Sequence, residues 1–329
     1  MTPPARPPRA LAYRALGLGD LLTAVPALRA LRRAVPGHRL VLAAPAWLHP
    51  LARHTGAVDT CVAAAPLAPL PPAVAAPDVA VNLHGRGPQS HRVVLATRPR
   101  RLVAFAHPDV AESAGGARWD DDEHEVARWC RLLAGAGIPA DASDLDLDPP
   151  PAPAPAGARG ATLVHPGAAS PARRWPVERW AAVVRAEADA GRRVIVTGGP
   201  GDAAVADAVA AAAGTPRATS VGGATDVVEL AALVAAAARV ACGDTGVAHL
   251  ATALRTPSVV LFGPTPPSRW GPPPERTQHV ALWAGRRGDP HAPEVDPGLL
   301  EIGVADVVAA LATVGRAPRG ARRAEEVGA

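Results

Sequence analysis

Residues 240–254 run from an apolar strand through Gly243, Asp244, Thr245 and Gly246 directly into a helical stretch. The first backbone N–H groups of a helix have no partner inside it, and the aligned peptide dipoles add positive potential there, so such a turn suits a phosphate. The amides of Thr245, Gly246 and Val247 are expected to face the anion, with the Thr245 hydroxyl as a further donor. A phosphate would repel the Asp244 carboxylate, so Asp244 is expected to cap the helix or fix the turn. His249 lies one turn further on. A second loop, 165–176, carries Gly167, Ser170, Arg173 and Arg174 away from another apolar run. Two guanidinium groups beside a strand's carboxyl end fit a diphosphate, the alternative being a solvated basic corner. Trp175 and Trp180 read as packing residues. A third turn contains Gly198, Gly199 and Asp202, whose carboxylate suits a ribose hydroxyl. Near the amino terminus, Gly17, Gly19 and Asp20 follow an apolar strand and open a helix. There Asp20 serves either as a cap or as a working carboxylate on a ligand-binding sheet edge.

Other chemistries fit less well. The third glycine of a dinucleotide fingerprint is replaced by Leu22, and residues 43–45 offer no ribose-binding acid. Residues 144–148, Asp-Leu-Asp-Leu-Asp, have metal-nucleotide spacing but adjoin a proline-rich stretch, and are expected to form an exposed strand. Residues 120–123, all acidic, read as the start of a helix. His84, His91 and His107 are scattered, and Cys61, Cys130 and Cys242 lie far apart with no metal-ligand spacing. No metal and no cofactor is expected, and neither a Gly-x-Ser-x-Gly elbow nor a phosphate-loop lysine occurs.

These turns must be carried by alternating strands and helices. Strands are expected at 11–16, 39–43, 78–83 and 101–105, with helices over 21–34, 47–54, 89–96 and 121–135. Residues 148–160, with five prolines, sustain neither a helix nor a central strand. They divide the chain into an expected N-terminal domain, 1–150, and a C-terminal domain, 151–329. The alternation then restarts, with strands at 161–165, 192–197, near 219, at 239–242 and at 258–262. A Pro- and Trp-rich loop over 263–297 and a helix over 304–314 follow. The implied fold class is α/β, two parallel sheets each wrapped by helices. A chain of 329 residues is long enough for two cores.

The net charge of +4 suits an anionic substrate or membrane surface, and all 34 Lys+Arg residues are Arg. No nucleic-acid partner is expected. Residues 1–9 are rich in Pro and Arg, and Arg14 and Asp20 interrupt the apolar run behind them, which fits neither a signal peptide nor a membrane span. The Arg-rich tail after Gly315 is expected to be disordered, and the three unpaired cysteines suit a reduced cytoplasmic protein.

Four stretches together resemble glycosyltransferase family 9, the ADP-heptose:lipopolysaccharide heptosyltransferases. They are 15–28, around Gly17-Leu-Gly-Asp20; 165–167 with 174–176; 196–200; and 243–249 continuing to 262–264. The resemblance implies a GT-B architecture, two Rossmann-like domains facing a central cleft. It implies inverting, metal-independent transfer of a sugar, a heptose by the family's name, from an ADP-sugar to an acceptor hydroxyl. Asp20 becomes the general base, acting across the cleft and so dependent on domain closure. Arg173 occupies a basic position that steadies the donor diphosphate, usually Lys in the family. Asp244, Thr245 and Gly246 match the donor turn. Residues 78–90 match the acceptor side, assigning Gly19, Asn82, His84 and Arg86 to a glycan or glycolipid acceptor, with Asn82 where an acid is more usual. Peripheral contact with the inner membrane face would accompany a glycolipid. Two other classes are compatible: a GT-B nucleotide-sugar epimerase, which would act on the donor alone, and a non-catalytic nucleotide or glycan binder.

Overall fold

The computed structural model describes residues 7–314; the Arg-rich tail lies outside them. The first half contains strands β1 (Arg9–Tyr13), β2 (Arg39–Ala44), β3 (Thr60–Ala63), β4 (Val79–Asn82) and β5 (Arg101–Val103). Between and after them come helices α1 (Leu18–Thr23), α2 (Val25–Ala34), α3 (His49–His54), α4 (Gln89–Leu95) and α5 (Glu125–Gly135). All five strands are parallel, in the order β3-β2-β1-β4-β5.

The second sheet is also parallel, in the order β11-β10-β9-β6-β7-β8. Its strands are β6 (Thr162–His165), β7 (Val194–Val196), β8 (Ala218–Ser220), β9 (Arg239–Gly243), β10 (Ser258–Phe262) and β11 (His279–Trp283). Its helices are α6 (Val177–Asp189), α7 (Ala203–Ala213), α8 (Val227–Ala236), α9 (Gly246–Ala253), α10 (Pro267–Trp270), α11 (Pro297–Glu301) and α12 (Val304–Val314). Central strands β6 and β10 are buried end to end and β1 is buried from Ala10 onward, as parallel strands covered on two faces must be. Trp175 and Trp180 pack edge to face in the second core, with ring centres 5.0 Å apart, as their packing role requires.

Several elements differ from expectation. The single helix expected over 21–34 is two helices meeting at Ala24, because Pro26 has no N–H to continue the first. Strand β3 was not anticipated; it is short, half-buried and at a sheet edge, so little periodicity marks it. Within the Pro- and Trp-rich loop lie α10 and β11, and α11 begins at its last residue. The acidic residues 120–123 precede the helix rather than start it: Asp120 accepts from the Asp122 amide in a local turn, and His124 is the cap of α5. Residues 144–148 form no strand. Asp144 pairs with Arg29 at 2.7 Å and Arg33 at 2.9 Å, and Asp146 with Arg276 at 2.7 Å, so these carboxylates tie the linking segment to both halves.

The halves meet most closely where α1 crosses the start of α9. A methyl group built on Gly246 would lie 2.7 Å from Leu18 Cβ and 3.0 Å from the Gly19 amide; one on Gly19 would lie 2.8 Å from the His249 ring. Backbone packs on backbone here, which only glycine permits. Gly246→Ala is therefore expected to destabilise the protein by about 1–3 kcal/mol through overpacking. Gly37→Ala, whose methyl would meet open space, should stay within about 0.5 kcal/mol. Urea denaturation of the two variants checks this.

Candidate active site

Ligands of open parallel sheets bind beyond the strands' carboxyl ends, where the strand order reverses. In the first sheet that point lies beside β1, whose following turn carries Gly17 and Asp20. In the second it lies between β6 and β9, which lead into the Arg173 loop and the Asp244 turn. One cleft of about 1170 Å³ joins the two points. Gly19 and Asp20 line it from one side, and Arg173, Asp244, Thr245 and Gly246 from the other. Gly198, Gly199, Asp202 and His249 border the same space.

Helix α9 begins at Gly246 with Thr245 as its cap residue, and no side chain caps it. Its leading amides thus remain available to a ligand. Asp244 does not cap the helix. It lies buried beside Arg173, whose Nη1 donates to the Asp244 carbonyl at 3.1 Å and stands 3.7 Å from its carboxylate. Burial pushes the Asp244 carboxyl up to about 6 against the pull of Arg173. Arg173 Nε is buried with no hydrogen-bond partner, leaving that guanidinium donor unspent.

Arg174 has a different part. Its Nε donates to the Ala168 carbonyl at 2.8 Å and its Nη2 to Asp202 Oδ1 at 3.3 Å, bracing two turns together. Gly167 lets this happen, since any Cβ there would run into the Asp202 carboxylate. Neither Arg174, Gly167 nor Ser170 lines the cleft, and Ser170 instead reaches toward the Ala292 carbonyl at 3.4 Å. His165 hydrogen-bonds Thr197 Oγ1 at 2.9 Å, and burial pushes it down to about 4.

Asp20 is both a cap and a cleft residue. Its Oδ2 accepts from the Gly17 amide at 3.1 Å, and its Oδ1 accepts from Arg14 Nη2 at 3.1 Å. About a quarter of the side chain, 27%, stays exposed, and each carboxylate oxygen retains a lone pair for a further proton donor. Burial raises the Asp20 proton affinity, opposed by Arg14 and assisted by Glu125. Arg14, 2% exposed at the end of β1, also binds Glu125 Oε1 at 2.9 Å. Arg14 and Glu125 belong to no expected site; a charged residue closing the apolar run 10–13 was the one available signal for Arg14.

Asn82, His84 and Arg86 lie outside the cleft lining. Asn82 is fully buried, donating to Ser90 Oγ at 2.9 Å and accepting from the His84 amide at 2.9 Å, so its polar atoms shape the loop after β4. His84 stacks on Tyr13, with centroids 4.6 Å apart, and accepts from the Ala15 amide. Arg86 is exposed. The cleft has further walls that the spacing of motifs did not reveal: Arg269 and Trp270 on α10, Asp226 capping α8, and the exposed Trp47. Trp270 meets the His249 ring at 5.7 Å. Among the described residues, no group of three or more His, Cys, Asp or Glu side chains could hold a metal ion.

The model of glycosyltransferase family 9 (heptosyltransferase) matches residues 117–294, more than half of the chain. Among curated proteins, lipopolysaccharide heptosyltransferase 2 of Escherichia coli K12 is 30% identical over 132 residues, which cover 38% of this chain and 38% of that protein. Lipopolysaccharide heptosyltransferase 3 of Escherichia coli is 31% identical over 155 residues, 45% of each chain. The matched stretches thus span less than half the length of these relatives. Among solved structures, Escherichia coli ADP-heptose LPS heptosyltransferase II superposes with a TM-score of 0.74 at 19% identity, covering 93% of this chain and 98% of that one. A glycosyl transferase family 9 protein of Veillonella parvula gives 0.77 at 18% identity, covering 94% and 97%. These likenesses bear out the GT-B fold.

The buried ionisable groups oppose one another in acid. For Asp244, a folded value of about 6 against an unfolded 3.8 means that its contribution is fully present below about pH 4 and lost as pH rises through 6. His165 and His249, both near 4 when folded, contribute stability above pH 6.5 that is lost as pH falls through 4. Asp244→Asn removes the first effect alone. In urea titrations of ligand-free protein, the loss of stability between pH 7.5 and pH 4 should be steeper in Asp244→Asn, by about 3 kcal/mol at most.

Proposed function

Because this chain belongs to glycosyltransferase family 9, we propose that it is an inverting, metal-independent glycosyltransferase that moves a heptose from an ADP-sugar to an acceptor hydroxyl. The observation that carries this reading is the single cleft holding the Asp20 carboxylate on one wall and the Arg173 guanidinium with the open end of α9 on the other.

The chemistry requires two charge changes. As the acceptor oxygen attacks the anomeric carbon, its proton passes to Asp20, and the carbon–oxygen bond to the β-phosphate breaks with inversion at that carbon. Negative charge grows on the departing diphosphate, where the first amides of α9, the Thr245 hydroxyl and Arg173 offer fixed donors. Preorganised donors of this kind are worth about 3 kcal/mol each in other enzymes. They supply in place the charge stabilisation that a divalent cation gives elsewhere. Asp202 and His249 border the nucleoside side, and the neutral His249 adds a hydrogen-bonding ring without another charge. Because Gly19 already rests on Gly246, Asp20 shares the donor cleft in the present arrangement of the halves.

The relatives named for lipopolysaccharide support a glycan or glycolipid acceptor, with Gly19 on its side of the cleft and His84 and Arg86 on the loop after β4, outside the lining. A cytoplasmic location with contact at the inner membrane face belongs to the same proposal; among the described residues no helix is long and apolar enough to cross a membrane.

Asp20→Asn is expected to lower transfer from ADP-heptose by about 10²–10⁴-fold while leaving ADP affinity unchanged, the signature of a general base. Arg173→Ala should weaken ADP binding more than adenosine binding. Isothermal calorimetry with both ligands, together with ADP release in the presence of a lipopolysaccharide-core acceptor, checks the pair; wild-type turnover in Asp20→Asn would exclude the base.

A further inference from the structure

We propose that Glu125, which does not line the cleft, is a positioning residue that keeps Asp20 basic by sharing its Arg14 partner. The inference rests on the reading of Asp20 as general base. Arg14 is buried and fixed on every side: Nε donates to the Asp20 carbonyl, Nη1 to the Leu83 carbonyl, and the guanidinium lies 4.7 Å from the centre of the Trp129 ring. Its polar contacts with side chains are all made by Nη2, which faces Asp20 Oδ1 at 3.1 Å, Thr23 Oγ1 at 3.3 Å and Glu125 Oε1 at 2.9 Å. One nitrogen with two hydrogens therefore serves three acceptors, and Glu125 holds the shortest contact. Asp20 gets a single, shared hydrogen bond instead of the two-pronged ion pair that would lower its proton affinity.

Glu125 is itself held from behind. Trp129 Nε1 donates to Oε1 at 2.8 Å, and Arg128 Nη1 binds Oε2. Arg128 Nη2 is anchored on the Asp120 and Glu123 carbonyls, both at 2.9 Å. Burial works to raise the Glu125 carboxyl, but Arg14 and Arg128 outweigh it and keep the carboxylate charged below its usual range. Its negative charge thus offsets that of Arg14 next to Asp20.

Three histidines also face this pocket. Burial pushes His84, on the loop after β4, down to about 4, helped by Arg14. His249 on α9 is likewise pushed to about 4. His124, preceding α5, accepts from the Val126 amide through Nδ1 and bonds the Gly271 carbonyl through Nε2.

The test is a carboxyl-carbon NMR titration of Asp20 in ligand-free protein, assigned with Asp20→Asn, alongside pH profiles of kcat/KM. Glu125→Gln keeps the shape and removes the charge. Its Asp20 midpoint and the acid limb of its profile should both move to lower pH, by about half a unit or more. Turnover should fall about two- to threefold, with donor KM unchanged. Glu125→Asp, retaining the charge, should restore most of the wild-type profile. Arg128→Gln frees Glu125 from its second cation and should move the midpoint the other way, which keeps the test decisive if Glu125→Gln does not fold. An unmoved midpoint in the folded variants, with Asp20→Asn inactive, overturns the role of Glu125. Full activity in Asp20→Asn instead overturns the base reading beneath it.

Discussion

Two glycines in contact, Gly19 and Gly246, set the geometry on which the cleft depends. A side chain at either position would hold α1 away from the start of α9 by the width of a methyl group. Without side chains the two helix starts touch, and the carboxylate of one half comes to border the same space as the uncapped amides of the other. The packing requirement and the electrostatic arrangement thus share the same residues. Glycine also leaves the leading amides of α9 unobstructed, which a phosphate needs in order to approach backbone closely.

Each half places an arginine–aspartate pair with one buried member at the reversal point of its sheet, and the two pairs are poised differently. Arg14 is engaged by Asp20, Glu125, Thr23 and two carbonyls, so its charge is directed to groups within the protein. Arg173 stands 3.7 Å from the Asp244 carboxylate and lines the cleft, so its charge is open to an incoming anion. Burying an ion pair removes two charges from water and gives little net stability. That cost is more readily understood where one pair tunes a carboxylate and the other awaits a phosphate than where both are scaffold. Arg174, adjacent in sequence to Arg173, braces Ala168 against Asp202.

The amino-acid sequence by itself determined the strand-turn-helix units around Asp20, Gly198 and Asp244, because turns, caps and helix starts arise from neighbours a few residues apart. The α/β alternation and the parallel character of the sheets were legible for the same reason. What depends on strand order was not legible. Strand β3 is too short and too exposed to carry a pattern, and β11 lies among prolines that mask it. Asn82 has the polarity of a ligand-binding residue, but its partners Ser90 and His91 make it a loop organiser. Only the tertiary structure brought Glu125 to Arg14 across 111 residues and seated Gly19 on Gly246. Spacing along a chain specifies local backbone geometry, whereas the partner of a buried charge is chosen by how the sheets stack and which side chains then share one water-poor space.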